Sequence, residues 1–172
     1  FIVAVILYDL IPLQNPDEYL AAPAAFAWYQ NKVKHCRRAQ LLLSISESAR
    51  REGIEYLGAK ASSIVNISTA VGAEFKPIKL PLTQQEKLRS KFDLTKDYLM
   101  YSGATDERKN HLRLIAAYAK LPVSVRSSHQ LVFVGGLPDV HRARFLRHAK
   151  KCGLNKNELI ITGRVTDDEL VA

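Results

Sequence analysis

Short apolar runs alternate with amphipathic, helix-length segments along most of this 172-residue chain. The runs are rich in Val, Ile and Leu, as in QLLLSIS (40–46) and QLVFVG (130–135). Such runs are typical of buried strands, and their alternation with helices predicts βαβ units and parallel sheets. We therefore predict an α/β fold with strands at 1–8, 40–46, 62–68, 98–102, 130–135 and 158–162. The first of these and the run Tyr98–Tyr101 are both expected to be buried.

The alternation is interrupted between residues 69 and 97. This stretch contains Gly72, Pro77, Pro81 and several lysines, with one short polar helix predicted at about 84–92. Gly and Pro at this density indicate a connection between domains. We therefore predict two parallel-sheet domains, 1–80 and 81–172. Both are expected to be incomplete, because the chain opens within a strand and stops where a helix has barely begun, as in a piece of a longer protein.

The charge balance favours an anionic partner. Lys and Arg number 25 against 17 Asp and Glu, a net charge of +8. Such an excess suits phosphate, nucleic acid or a membrane surface, although a solvated basic surface explains it equally well. The two cysteines, Cys36 and Cys152, are far apart and outside any CxxC pair. A disulfide scaffold and a zinc site are therefore poorly supported, and a reducing compartment fits best.

The segment DVHRARFLRHAKK (139–151) is predicted to be a basic helix. Its small and apolar residues recur every third position and are expected to face the sheet: Val140, Ala143, Leu146 and Ala149. His141 and His148 are expected to be surface residues. The exposed arginines and lysines suit either acidic lipid or nucleic acid, or simply water. The basic residues do not alternate with aromatic residues along the segment, as single-strand binding would require, so we expect no nucleic-acid partner.

Three loops in the second half begin with Gly directly after an apolar strand, at 103–109, 135–139 and 163–167. In open α/β sheets ligands bind beyond the carboxyl ends of the strands, and the helix N-terminus that follows favours anions. The first loop adds Arg108 and Lys109, which suit phosphate oxygens. We therefore predict a phosphate site there, with ordinary turns and solvated cations as the alternative. Neither GxGxxG nor a P-loop sequence supports it.

Tyr8 and Asp9 follow the first strand. A carboxylate at the carboxyl edge of a sheet is a candidate site residue. Capping of the turn explains Asp9 equally well.

The stretch YSGATDERKNHLRLIAAYA (101–119) resembles the strand–G–x–x–D–x–R–K–N–helix signature of the GT-B-fold retaining glycosyltransferases of family 4, group 1. Further segments agree with that family in order along the chain: YDLIP (8–12), AQLLLSISESARR (39–51), HQLVFVGG (129–136) and ELIITGRVTDDEL (158–170). The resemblance covers nearly the whole chain. It is strongest in character to bacterial mannosyltransferases of surface-polysaccharide assembly.

The resemblance implies two Rossmann-like domains, of which 1–80 would be the later part of the acceptor-side domain and 81–172 the first part of the nucleotide-sugar domain. The parent enzyme would move a hexose, with mannose as the first expectation, to a glycan or lipid-linked acceptor with retention, in surface polysaccharide or lipopolysaccharide biosynthesis. The donor, expected to be GDP-mannose, is a substrate, so neither a cofactor nor a metal is implied. The expected location is the cytoplasm, with a peripheral contact at the inner face of the membrane.

The resemblance also assigns roles to individual residues. It implies a donor-diphosphate site at Lys109, Arg108 and Gly103, a base site at Arg164 and Val165, and an acceptor side at Asp9 and Tyr8. The family's E-x7-E carboxylate motif is expected beyond residue 172, so the catalytic residues are unknown and this segment alone is expected to be inactive.

Two positions depart from the family pattern. Ala104 stands where the family often has a second phosphate-binding Arg, and Tyr8 stands where it often has His. Both lean towards the alternative of a non-catalytic nucleotide- or phosphosugar-binding α/β module. A basic nucleic-acid-binding domain is a third interpretation, and its binding would weaken steeply with salt.

Overall fold

The computed structural model describes residues 2–172. They form two compact units, and the boundary along the chain lies between Gly72 and Ala73. Each unit contains a three-stranded parallel sheet. The α/β class and the parallel sheets predicted from the sequence are therefore confirmed. The division into an acceptor-side and a donor-side domain at residue 80 stays a prediction. The predicted first strand begins at residue 1, which lies outside the described residues.

The first unit is a sheet of order β1-β2-β3 with helices in its connections. Its strands are β1 (Ala4–Leu7), β2 (Leu41–Ser44) and β3 (Ile64–Asn66). Its helices are α1 (Ile11–Gln14), α2 (Pro16–Tyr19), α3 (Pro23–Arg38) and α4 (Glu47–Leu57), and a 3-10 turn (Ala61–Ser63) precedes β3. The core between sheet and helices is formed by Leu7, Leu10, Val33, Leu42, Leu57 and Ile64.

Local sequence explains where the helices of the first unit begin and end. Pro23 occupies the first turn of α3, where its missing N–H costs no hydrogen bond. The Ser46 hydroxyl accepts a hydrogen bond from the Ala49 N–H at 3.1 Å and so caps α4. Gly58 ends α4 in the left-handed conformation, with φ of 70°.

The second unit is a sheet of order β4-β5-β6. Its strands are β4 (Asp97–Ser102), β5 (His129–Val134) and β6 (Leu159–Gly163). Its helices are α5 (Leu82–Lys91), α6 (His111–Ala119), α7 (Val123–Ser128), α8 (Asp139–Lys151) and α9 (Asp167–Val171), and a 3-10 turn (Glu107–Lys109) precedes α6. The main core cluster contains Ile115, Tyr118, Leu131, Phe133, Phe145, Ala149, Leu154, Leu159 and Ile161.

The central strand β5 is held at its amino end by Gln130, whose side chain is fully buried. Its amide oxygen accepts from the N–H groups of Thr95 at 2.9 Å and Lys96 at 3.2 Å. Its amide nitrogen donates to the carbonyls of Asp93 at 3.1 Å and Asn157 at 3.0 Å. One side chain thus joins the segments that enter β4 and β6, and all its hydrogen-bonding capacity is used.

The expected burial of the first strand and of Tyr98–Tyr101 is wrong. Ile6 of β1 is 55% exposed, and Leu99 and Met100 of β4 are 50% and 51% exposed. β1 and β4 each lie at an edge of their sheet. An apolar run identifies a strand, but it does not distinguish a central strand from an edge strand.

The predicted orientation of α8 is also wrong. Of the residues expected to face the sheet, Ala149 is buried, but Val140 is 68% and Leu146 41% exposed. Phe145, which was not among them, is buried. His141 and His148, expected at the surface, are half-buried, and His148 Nε2 lies 3.1 Å from the Leu112 carbonyl oxygen. A spacing of three drifts about 60° per step around a helix with 3.6 residues per turn, so a stripe at that spacing leaves the buried face.

α8 is also tied to the sheet by a polar contact. The Arg142 guanidinium donates to the carbonyl of Ile161 in β6 at 3.0 Å.

Within residues 2–172, no helix has the length and apolar composition needed to cross a membrane.

Replacing Gln130 by Leu is expected to destabilise the second unit by about 3 kcal/mol, because buried N–H and C=O groups lose their partners. Gln85→Leu is the matched control, since the Gln85 amide makes one exposed hydrogen bond, to the Leu80 carbonyl; it should cost no more than about 0.5 kcal/mol. Urea unfolding, with amide exchange of β5 as a second probe, measures both. Equal unfolding midpoints for the two variants would contradict the assigned role.

Candidate functional site

Three glycines stand side by side at the carboxyl edge of the second sheet. Gly103, Gly135 and Gly163 follow or end β4, β5 and β6 and have φ angles of 153°, 132° and 76°. The Gly103 N–H donates to the Val134 carbonyl at 3.4 Å, and the Gly135 N–H donates to the Gly163 carbonyl at 3.0 Å. A β-carbon on Gly135 would lie 3.3 Å from the Gly103 carbonyl oxygen. A β-carbon on Gly103 would lie 2.8 Å from the Tyr101 hydroxyl, so the Tyr101 side chain fills the space beside that glycine. The three glycines themselves add no side chain to this edge, and their backbone can be approached closely where no neighbouring side chain covers it.

The loop that leaves β4 folds into a tight turn ahead of α6. The Asp106 carboxylate accepts from the Arg108 N–H at 2.9 Å and so caps the 3-10 turn. The Lys109 N–H donates to the Asp106 carbonyl at 2.9 Å. Asn110 then adopts the left-handed conformation, with φ of 52°, and α6 begins at His111. The sequence DERKN thus forms a hydrogen-bonded turn.

The two cations of this turn, Arg108 and Lys109, differ in their contacts with neighbouring carboxylates. The Arg108 guanidinium makes two contacts with the Asp106 carboxylate, Nε to Oδ1 at 3.0 Å and Nη2 to Oδ2 at 3.2 Å. Lys109 is exposed, and its ammonium makes no hydrogen bond or ion pair with any residue in the described range 2–172. Lys109 is therefore the cation of the turn that is available to an external anion.

His111 anchors the turn to the core. Its ring stacks on Phe145 with centroids 4.9 Å apart and meets Tyr101 and Phe133 edge-on at 4.8 Å and 5.3 Å. Burial lowers the pKa of His111 below its usual range, and Lys109 and His141 oppose its charge further, while Glu107 acts in the other direction. A neutral imidazole in an aromatic box is a packing group, and it fixes where α6 starts.

A second ion pair holds the turn from the side of α8. Arg144 donates from its guanidinium to the Glu107 carboxylate, with a longer second contact from Nη2 to Oε2 at 3.5 Å. The hydrogen bond from Arg144 lowers the pKa of Glu107, and the charge of the Arg144 guanidinium acts in the same direction. Glu107 is therefore a charged, paired carboxylate.

Arg164 lies over the second glycine loop. A β-carbon on Gly136 would lie 3.0 Å from Arg164 Cγ and 3.1 Å from its Nε. The Arg164 side chain is exposed, and its guanidinium forms no hydrogen bond or ion pair within the part of the chain that the structure describes. Val165, the other candidate for base contact, is half-buried. The structure thus brings the loops after β5 and β6 together at the glycine edge.

Tyr8 and Asp9 lie at the carboxyl end of β1, in the first unit. Tyr8 is 66% exposed, and one Asp9 carboxylate oxygen accepts from the Ile11 N–H at 3.1 Å, a turn-capping contact. Beside them, Glu52 of α4 accepts from the Leu10 N–H at 2.9 Å. Burial, followed by the charges of Asp9, Cys36 and Glu52, raises the pKa of Tyr29 to about 12, so its hydroxyl stays protonated.

Four contributors were missed in the sequence: Glu107, Arg144, Gly136 and Glu52. The Glu107–Arg144 pair spans 37 positions, and the Leu10–Glu52 contact spans 42. Residues so far apart in the sequence belong to no common local pattern, so the sequence does not indicate these two contacts. Gly136 could have been noticed in the sequence. In the stretch VGG the first glycine already serves the turn after the strand, so the second glycine indicates a further role. The roles assigned to Lys109, Arg108, Gly103, Arg164, Val165, Asp9 and Tyr8 stay predictions.

Gly136→Ala is expected to displace the Arg164 side chain, because an added β-carbon would lie too close to its Cγ and Nε. Arg164 is exposed and flexible, so the unfolding free energy should change by no more than about 0.5 kcal/mol. Gly58→Ala is the control: nothing lies within 4 Å of an added β-carbon there, but its φ of 70° is unfavourable for Ala. That variant should lose about 1–2 kcal/mol. Crystal structures and thermal unfolding of both variants measure the contrast, and an unmoved Arg164 would contradict it.

The chain is similar in sequence to known mannosyltransferases. The chain is 35% identical over 167 residues to "Serotype-specific mannosyltransferase WbdA" of Escherichia coli, a match that covers 97% of this chain and 20% of WbdA. It is 30% identical over 101 residues to "O-antigen chain mannosyltransferase B" of Escherichia coli, covering 56% of this chain and 25% of that protein. The chain therefore spans only about a fifth to a quarter of these relatives.

The fold is shared with a solved protein structure. Alr3699/HepE from Anabaena, crystallised in complex with UDP-glucose, superposes with a TM-score of 0.70 at 17% identity, covering 98% of this chain and 43% of HepE. The GT-B type of fold predicted from the sequence is confirmed. The sequence profile described as "Glycosyl transferases group 1" matches residues 83–172, which include the glycine edge, the Lys109 turn and Arg164. This chain belongs to the group 1 glycosyltransferases.

Proposed function

We propose that the protein containing this chain transfers a hexose from a nucleotide-sugar to a glycan or lipid-linked acceptor, with retention, in surface polysaccharide or lipopolysaccharide biosynthesis. One observation carries the proposal: the glycine edge of the second sheet leads directly into a turn whose exposed Lys109 ammonium is unpaired among residues 2–172. A glycine-rich backbone edge with an available cation suits the diphosphate of an activated sugar.

Lys109 has a chemical role in this proposal. When the bond between sugar and diphosphate breaks, negative charge develops on the leaving phosphate oxygens. A fixed ammonium beside those oxygens stabilises that charge, and such electrostatic stabilisation is often the largest contribution to catalysis. Helix α6 begins directly after the turn. The N–H groups in the first turn of a helix carry partial positive charge, so they favour an anion in the same way as the Lys109 ammonium. Arg108 would join as a second phosphate ligand, shared with its Asp106 partner.

The donor we propose is GDP-mannose. The curated relatives with 35% and 30% identity are named as mannosyltransferases. Arg164, laid across Gly136 beside the glycine edge, and Val165 would contact the nucleotide base. Retention is tested by NMR of the product, in which the transferred sugar should keep the anomeric configuration that it has in the donor.

A non-catalytic nucleotide- or phosphosugar-binding module is the second candidate. Ala104 and Tyr8 favour it, since the family often carries Arg and His at those positions. The two candidates differ in one result: a transferase forms glycosylated product from GDP-mannose and acceptor, whereas a binding module takes up the nucleotide without turnover.

Lys109→Ala in the intact protein is expected to weaken GDP binding by about 10- to 100-fold, because a charge-assisted hydrogen bond contributes about 1.5–3 kcal/mol. The turnover number should fall as well, since charge on the diphosphate increases in the transition state. Lys120→Ala, at an exposed lysine just after α6, is the control and should bind GDP as the parent does. Calorimetry with GDP and initial rates with GDP-mannose measure both, and a Lys109 variant that matches the control would remove Lys109 from the site.

We also propose that the protein works in the cytoplasm with a peripheral contact at the inner face of the membrane. Helix α3 supports this contact: Trp28 is 64% exposed, and the Lys32 ammonium lies 5.4 Å from the centroid of its ring. Lys34 and Arg38 are exposed on the same helix. An exposed Trp among cations suits the interface of an anionic bilayer.

The membrane contact predicts binding to vesicles that contain phosphatidylglycerol and much weaker binding to pure phosphatidylcholine vesicles. Each Lys near an anionic surface contributes about 1 kcal/mol, so replacing both Lys32 and Lys34 by Gln should weaken binding by about 10-fold or more at low ionic strength. The matched control replaces Lys120 and Lys156, exposed in the second unit. Co-sedimentation measures the partition. Equal losses in the two double variants would mean that α3 is not the contact surface.

A further inference from the structure

The turn that carries Lys109 has no net charge of its own. Its two carboxylates, Asp106 and Glu107, are balanced by the two cations Arg108 and Lys109. Asp106 is occupied by Arg108 within the turn. The remaining carboxylate, Glu107, stands two positions before Lys109 in the same short turn. A site for a diphosphate therefore needs a further positive charge from elsewhere in the fold.

Arg144 supplies that charge. It reaches from α8 to the Glu107 carboxylate across 37 positions of sequence. Glu107 is the first residue of the 3-10 turn and Arg144 lies within α8. With Arg144 included, the cluster carries one net positive charge. Without this partner, the Glu107 carboxylate would be left to attract the Lys109 ammonium, with which it shares the turn, and to repel an approaching anion.

The surroundings of Glu107 favour its pairing with Arg144. His141 and His111 lie close to Glu107 as well, and the hydrogen bond from Arg144 is the largest of the effects that lower the Glu107 pKa. His111 is buried against Phe145 of α8, and this contact keeps the beginning of α6 and the side of α8 together. Apolar packing thus holds the turn next to Arg144. The ion pair between Glu107 and Arg144 is not needed to keep these two elements together.

We infer that Arg144 is a positioning residue for the donor diphosphate: it neutralises Glu107 and thereby keeps the Lys109 ammonium available to the phosphate oxygens. The inference rests on the proposed function of Lys109. Arg144 itself touches Glu107 and is not assigned a contact with the donor.

The inference makes a specific prediction about pairs of variants. In the intact protein, Arg144→Gln should weaken GDP binding and raise the KM for GDP-mannose by about 2- to 5-fold, as expected for a surface charge, with a smaller effect on kcat. The loss should shrink at high salt, because screening weakens the free carboxylate. Combining Arg144→Gln with Glu107→Gln should restore binding towards that of the parent, since the unneutralised carboxylate is gone.

Arg147→Gln is the matched control, because Arg147 is an exposed arginine of the same helix that forms no ion pair with the residues at 2–172. It should bind GDP as the parent does. If Arg144→Gln behaves like Arg147→Gln, Arg144 has no positioning role. If the double variant binds no better than Arg144→Gln alone, neutralisation of Glu107 is not the mechanism, and the inference is overturned.

The Lys109→Ala variant separates this inference from the proposed function. If Lys109→Ala leaves GDP binding unchanged, the diphosphate site itself is misplaced. If Lys109→Ala weakens GDP binding and Arg144→Gln does not, only the role of Arg144 fails.

Discussion

Strand β5 is the element on which the second unit depends, because both other strands of the sheet pair with it. Its amino end is fixed by the four hydrogen bonds of Gln130, which hold the segments entering β4 and β6. The register between β4 and β5 is regular up to the pair Ser102 and Val134, so Gly103 and Gly135 come next to each other. Between β5 and β6 the register shifts after Phe133, and this irregularity pairs Val134 with Gly163 and brings Gly163 to the same edge.

The charged side chains at this edge are of two kinds. Some form ion pairs within the protein, and others are cations that remain available to an external anion. Arg108 with Asp106, and Arg144 with Glu107, are pairs within the protein. Lys109 and Arg164 are the exposed cations that form no such pair among residues 2–172. The net charge of +8 therefore says little by itself about binding. What matters is which cations the neighbouring carboxylates leave unpaired.

Much of the fold follows from the sequence, because strand–helix alternation and glycine at strand ends are local signals. The six strands lie within or close to the predicted ranges. Coverage of edge strands is not local, and the exposed face of β4 could not be read from its apolar run. The buried side of α8 was misjudged because a spacing of three leaves the helix face within three steps. The Glu107–Arg144 contact spans 37 positions, and only the packing of α8 beside α6 brings the two side chains together.

Helix α8 contacts two parts of the second unit through Arg142 and Arg144. Arg142 binds the carbonyl of Ile161, just before the end of β6, and Arg144 binds the turn that follows β4. A shift of this helix along its axis would therefore move the loop that bears Arg164 and the loop that bears Lys109 at the same time. One helix is thus connected to two loops on opposite sides of the central strand, so a substitution that displaces α8 would alter both loops together.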